Sequence, residues 1–188
     1  MPRETAPMKI LGLYRHAKSD WTDPRARDFD RPLNARGKKG AVAMGQHIRE
    51  AAFSCARIIA SPAVRCAETI ELGSQANGSS YPVMWDRRIY LASSATLLDL
   101  LREQEGNPPS ILMVGHNPGL EDLIFDLVPD DGTCLLRDIV EEKFPTAAYA
   151  VLELDIDDWA EIAPDCAKLI HLKRPRDLDA ALGPEPVD

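Results

Sequence analysis

Lys9-Ile10-Leu11-Gly12-Leu13-Tyr14-Arg15-His16 is an apolar run that breaks abruptly into two polar residues. The pattern suits a strand buried on both faces and feeding a polar loop, as in parallel sheets. Two further segments repeat it. Arg57-Ile58-Ile59-Ala60 runs into Ser61-Pro62, and Ile111-Leu112-Met113-Val114 runs into Gly115-His116-Asn117-Pro118. Ser61-Pro62 and Asn117-Pro118 each read as a helix N-cap followed by proline at the first helical position, which opens helices to about residue 72 and through Leu127. Asn34 can cap another helix, whose apolar positions Ala41, Met44, Ile48 and Ala51 recur at helical spacing, although Gly37 and Gly40 weaken its first turns. Residues 95–103 read as a helix and 81–85 as a strand, while 147–154 and 167–172 read as an antiparallel pair. Strands alternating with helices predict an α/β domain with a largely parallel sheet covered on both faces. Ligands of such sheets bind beyond the carboxyl ends of the strands.

The chain has 188 residues, 45% hydrophobic and 28% charged, the balance of a globular protein with a sizeable core. A single domain over residues 1–175 is expected, followed by a loosely held, proline- and charge-rich tail at 176–188. No apolar stretch is long enough for a membrane helix and the N-terminus lacks a secretory h-region, so the expected location is cytoplasmic. Cys55, Cys66, Cys134 and Cys166 form no C-x-x-C pair, and free thiols are expected rather than a zinc or redox site. The net charge of −8 is unevenly spread: residues 1–50 carry eleven Lys and Arg against six Asp and Glu. An acidic chain is a poor nonspecific nucleic-acid binder, and any anionic ligand must meet a local basic pocket, sought in the first fifty residues.

If the three apolar strands are parallel neighbours, their ends collect Arg15, His16, Lys18, Ser61, Arg65, His116 and Asn117 at one edge together with two helix N-termini. That edge favours an anion. A tetrahedral phosphate suits guanidinium contacts from Arg15 and Arg65, with a further hydrogen bond from His116. His16 is the candidate nucleophile, since nearby Arg15 and Lys18 disfavour imidazolium and also stabilise the transferring phosphoryl group. His47, inside the long helix, and His171, in the last strand, are read as structural. Arg31 and Arg36 are assigned to a surface ion-pair network with Asp28 and Asp30.

Leu13-Tyr14-Arg15-His16-Ala17-Lys18-Ser19 resembles the R-H-G or R-H-A signature of the histidine phosphatase superfamily. Asp30-Arg31-Pro32-Leu33-Asn34-Ala35-Arg36-Gly37, Ser61-Pro62-Ala63-Val64-Arg65-Cys66-Ala67-Glu68-Thr69 and Val114-Gly115-His116-Asn117-Pro118 resemble its other blocks, in the family's order. Within the superfamily, R-H-A-K-S-D-W in a compact chain is similar to the SixA-type phosphohistidine phosphatases. The resemblance implies a three-layer α/β/α sandwich of the phosphoglycerate mutase-like kind. It also implies a His16 that is transiently phosphorylated, phosphate gripped by Arg15, Arg65 and His116, and no metal or cofactor. Lys18, Ser19, Ser61 and Asn117 complete the expected phosphate and substrate contacts. The family's usual carboxylate proton donor has no evident counterpart: Tyr90 is followed by Leu91, where related sequences often have Glu. Asp20 in the nucleophile loop is the substitute, ahead of Asp86. A phosphohistidine leaving group needs less acid assistance than an alkoxide. The expected partner is therefore a protein carrying phosphohistidine, or else a small phosphorylated substrate.

Other classes fit less well. The D-x-D of Asp155-Ile156-Asp157 follows a strand, as in haloacid-dehalogenase-type phosphatases, but too little chain follows it, and it is read as a charged turn. No cysteine has arginine six residues on, which removes the cysteine phosphatases. Cations flanking His16 oppose a metallophosphatase. A noncatalytic phosphoprotein-binding module and a phosphate-moving mutase remain as alternatives.

Overall fold

The computed structural model describes residues 8–51 and 53–184. Six strands form one sheet: β1 (Lys9–Arg15), β2 (Arg57–Ala60), β3 (Val83–Trp85), β4 (Ser110–Gly115), β5 (Tyr149–Leu154) and β6 (Ala167–Lys173), in the spatial order β3-β2-β4-β1-β5-β6. The pairs β1–β4, β4–β2 and β2–β3 are parallel. β5 runs antiparallel to both β1 and β6, the expected pairing of the last two strands.

Side chains alternate across β1 and divide the core. Leu11 and Leu13 face one apolar cluster with Leu97, Leu101, Leu120 and Ile124, which belong to α3 (Ser94–Arg102) and α4 (Gly119–Leu127). Tyr14 faces the other, with Met44 and Cys66 from α1 (Ala35–Glu50) and α2 (Val64–Asn77). Helices therefore cover both faces, and the architecture is the expected α/β/α sandwich with a mostly parallel sheet.

Asn34 caps α1, its side chain accepting from the Gly37 amide at 2.8 Å. Gly37 and Gly45, unfavourable for an isolated helix, are required by close approach. A Cβ on Gly37 would lie 2.1 Å from the Lys18 carbonyl oxygen, and one on Gly45 would lie 2.4 Å from that of Gly73 in α2. The first contact presses α1 onto the loop following β1, and the second lets α1 and α2 cross closely.

The cap assignments at Ser61-Pro62 and Asn117-Pro118 are corrected. α2 begins at Val64 after Ala63, and α4 at Gly119 after Pro118. The polar side chains that would have capped them are engaged elsewhere. Ser61 Oγ accepts from His116, and Asn117 Nδ2 donates to Glu121 and to the Phe144 carbonyl. α5 (Leu135–Glu142) was not anticipated, although Leu136, Ile139 and Val140 recur at helical spacing within its eight residues. In the segment expected to be loosely held, α6 (Pro175–Leu178) and a 3-10 turn at Ala180–Leu182 form, and Arg36 Nη2 donates to the Leu182 carbonyl at 2.8 Å. No helix among the described residues is long and apolar enough to cross a membrane.

Replacing Gly45 by alanine drives a methyl group into the α2 backbone. Thermal unfolding of Gly45→Ala should show a loss of about 1–3 kcal/mol, which lowers Tm by roughly 3–10 °C. An unchanged Tm would show that the two helices separate at little cost.

Candidate active site

Strand register builds the site. Arg15 lies opposite Gly115 in the β1–β4 pair, and Ala60 lies opposite Val114 in the β2–β4 pair. The ladder continues one step further, with His16 N donating to the Gly115 carbonyl at 3.1 Å and Ser61 N to the Val114 carbonyl at 3.0 Å. The residues that leave the three strands, His16, Ser61 and His116, are thereby brought side by side. The rings of His16 and His116 lie 5.1 Å apart, centroid to centroid.

His16 is 7% exposed and His116 3%. His16 Nδ1 lies 2.7 Å from the Ala17 carbonyl oxygen. A carbonyl can only accept, so Nδ1 carries the proton and the neutral ring keeps its lone pair on Nε2. Burial lowers the His16 pKa to about 4; the Ala17 hydrogen bond opposes this, and the charges of Arg65 and Arg15 add to it. The ring is thus a neutral base with a defined tautomer across the physiological range.

His116 is fixed from both sides. Arg65 Nη2 donates to its Nδ1 at 3.2 Å, so its Nε2–H donates to Ser61 Oγ at 2.8 Å. Burial first, then the neighbouring His16 and Arg65, lower its pKa to about 3.

Arg65, on the first turn of α2 and 4% exposed, is anchored by a residue that the sequence had assigned elsewhere. Its Nη1 donates to the Asp28 carbonyl at 2.5 Å, and its Nη2 donates to Asp28 Oδ2 at 2.9 Å. Tyr90 donates its hydroxyl to the same oxygen at 2.6 Å, and its ring stands edge-on to His116. Burial pushes the Asp28 carboxyl up, but hydrogen bonds from Tyr90 and Arg65, with the Arg65 charge, outweigh it and hold the group below the usual carboxylate range. Asp28 is therefore an ionised clamp. The expected network of Arg31 and Arg36 with Asp28 and Asp30 gives way to other contacts: Asp30 pairs with Arg27, and Arg31 is buried beneath Trp21 and donates to the backbone carbonyls of Asp20 and Asp23.

Arg15 leaves the end of β1 and donates Nη1 to the Phe144 carbonyl at 2.8 Å, while its buried Nε has no hydrogen-bond partner. Asn117 Oδ1 is likewise buried without a partner. Ser19 Oγ accepts from Trp21 Nε1, and Lys18 is exposed on the same loop.

Asp20 is not drawn into the cluster. Its carboxylate accepts from the Thr22 amide at 2.8 Å, which holds its pKa below the usual value and leaves it ionised. Asp86 pairs with Arg88. The Asp155–Asp158 stretch follows the antiparallel β5 and so lies at the opposite edge of the sheet, where Asp158 caps a 3-10 turn at Trp159–Glu161. His47 and His171 stack on each other with 2.9 Å between their Nε2 atoms. Cys66 lies beside His116, but burial pushes its thiol up to about 12, far from a reactive thiolate. Among the described residues no three His, Cys, Asp or Glu side chains converge as a metal-binding group.

Chemically, the site offers one uncharged imidazole nitrogen beside fixed guanidinium donors, an arrangement suited to attack on a phosphoryl group. Residues 11–89 match the family model of the histidine phosphatase superfamily (branch 1). An uncharacterised protein of Mycobacterium tuberculosis is 32% identical over 163 residues, covering 86% of this chain and 99% of that one. Two solved structures are similar over most of the chain. One, designated the phosphohistidine phosphatase SixA of Agrobacterium tumefaciens, has a TM-score of 0.74 and 30% identity, covering 89% of this chain and 98% of that one. The other carries the same designation in Nakamurella multipartitia, with a TM-score of 0.78 and 25% identity, covering 92% and 99%.

Titration of the free protein followed by NMR of the histidine rings should place the His16 midpoint near 4. Its Nδ1 should be protonated throughout the neutral range. Because the unfolded chain binds this proton more readily, the burial of His16 should cost stability progressively as pH falls from 6.5 towards 4. A midpoint near 6.5 would contradict the desolvated, cation-flanked setting.

Proposed function

Because the chain belongs to the histidine phosphatase superfamily, we propose that this phosphatase removes phosphate from phosphohistidine on a partner protein, through a phosphorylated His16 and without a metal ion. The observation that carries this reading is the His16 ring, its Nδ1–H held by the Ala17 carbonyl at 2.7 Å and its other nitrogen free beside Arg65 and His116.

In the first step His16 Nε2 attacks phosphorus, the P–N bond to the substrate imidazole breaks, and the departing nitrogen takes a proton from water, leaving a hydroxide that is neutralised by the proton released when water adds to phosphorus in the second step. In the second, water attacks phospho-His16, its P–N bond breaks, and inorganic phosphate leaves the restored neutral ring. Arg65 stabilises the equatorial oxygens as charge develops on them, with Arg15 and the His116 side of the site as further contacts. Arg65 keeps its Nε–H and an Nη1–H for this purpose, since Asp28 and His116 engage its other donors.

Asp28 and Asp20 favour a P–N over a P–O substrate. Asp28 is held ionised by Arg65 and Tyr90, and Asp20 by Thr22, so neither stores a proton at neutral pH. An alkoxide leaving group would need that proton in the transition state, whereas an imidazole leaves with far less help.

Rapid quenching with labelled substrate should trap a phosphoenzyme that is labile to acid and stable to base; label on serine or aspartate would sink the mechanism. His16→Ala should lower turnover roughly 10³-fold or more while phosphate binding persists. Turnover should survive excess chelator. The kcat/KM for a phosphohistidine protein should exceed that for an aryl phosphate and for a sugar phosphate, and the reverse order would replace the substrate assignment with a small phosphomonoester.

A further inference from the structure

A second basic feature lies beside His16, and of its residues only Arg15 enters the chemistry above. A cavity of about 570 Å³ opens between the N-terminal end of α1, the chain from Lys143 to Ala147 and the C-terminal segment around α6. Arg15, Lys18, Arg36, Lys143 and Arg176 line it, and no acidic residue does among those described. These cations come from five separate segments: the end of β1, the loop after it, α1, the end of α5 and α6. In a chain of net charge −8 such a concentration runs against the average. The side chains of Lys18, Lys143 and Arg176 make no hydrogen bond or ion pair among the described residues, so they are not consumed by structural pairing.

Arg15 belongs to both places. It directly precedes His16 in the chain and also forms part of the cavity wall, with Nη1 on the Phe144 carbonyl. Of the residues around His16, Arg15 is the one that also lines this cavity and so links the two. We propose that this cavity is an acidic-segment subsite: it receives Asp and Glu side chains that flank the phosphohistidine of the partner protein, and it thereby selects acidic partners.

This inference rests on the phosphohistidine reading and adds the sequence surroundings of the substrate. Two features favour an acidic stretch of protein over the second phosphate of a small molecule. Five cations spread over five segments suit several monovalent carboxylates at intervals better than one compact dianion, which engages two or three donors. Lys18 and Lys143 are also exposed at the rim, where an extended chain can reach them. Elsewhere the acidic surface repels an acidic partner, so the cavity orients the encounter as well as strengthening it.

The test compares two phosphohistidine peptides that differ only in flanking residues, acidic in one and neutral in the other. The wild-type protein should favour the acidic peptide by about tenfold in kcat/KM at low salt, with the preference shrinking as salt screens it. In Lys143→Ala/Arg176→Ala the ratio should fall to about one, while Lys168→Ala, at the far edge of the sheet, should keep it. A wild-type ratio near one, or a ratio that survives the double substitution, overturns the subsite. So does a sugar bisphosphate whose KM responds to the double substitution where the peptide ratio does not. A binding arm separates this inference from the functional reading. Fluorescence anisotropy with an unphosphorylated glutamate-rich peptide should show binding to the wild type that is lost in the double variant. If no phosphohistidine peptide is hydrolysed, the functional reading fails and the binding arm still decides: loss of binding in the variant supports an acidic-segment site, and unchanged binding overturns it.

Discussion

The in-register parallel pairing of β1, β4 and β2 is the constraint on which the site depends. With Arg15 opposite Gly115 and Ala60 opposite Val114, the three strands end at nearly the same level, and the next residue of each enters the same space. A shift of two residues in either pair would preserve the buried faces, since side chains alternate with period two, yet it would separate His116 from His16 in the β1–β4 pair, or from Ser61 in the β2–β4 pair, by more than one strand step. The apolar core therefore tolerates what the site does not. Backbone bonds from His16 and Ser61 onto β4 carry the ladder just past the strands and remove that freedom.

The electrostatics follow from the same crowding. Two buried imidazoles beside two guanidinium groups cannot all be charged, and the histidines, with the lower intrinsic proton affinity, remain neutral. Each ring then presents a single tautomer, because the carbonyl at His16 can only accept and the arginine at His116 can only donate. Asp28 offsets part of the positive charge and fixes the Arg65 fork, its Oδ2 sharing the Nη2 group with His116 Nδ1. The neutral histidines and the cations around them are thus consequences of one arrangement. The basic cavity next to Arg15 extends the same charge pattern outward.

Several features were legible in the order of residues. Apolar runs ending in Arg15-His16, Ser61 and His116 located the buried strands and the polar residues at their ends, because burial on both faces excludes polar residues until the chain leaves the sheet. Asn34 announced its helix through a side chain of the right length to meet the Gly37 amide. Gly37 of α1 read as a weakness, since its purpose, contact with the Lys18 carbonyl, lies on another segment. Ser61 and Asn117 have the residue types of caps, but the tertiary structure directs them to His116 and to the Phe144 carbonyl.

Sequence alone determined the class of fold and the polar residues that gather where the buried strands end, because these depend on local burial and on intrinsic chemistry. Tertiary structure decided the rest. Asp28 sits in a polar loop and carries no local sign that it meets Arg65 and Tyr90, 37 and 62 residues away in the chain. Asp20 lies only a few residues from His16, yet its loop turns the carboxylate onto Thr22. Proximity along a chain and proximity in space diverge wherever a loop leaves the sheet, and charge pairing is governed by the second.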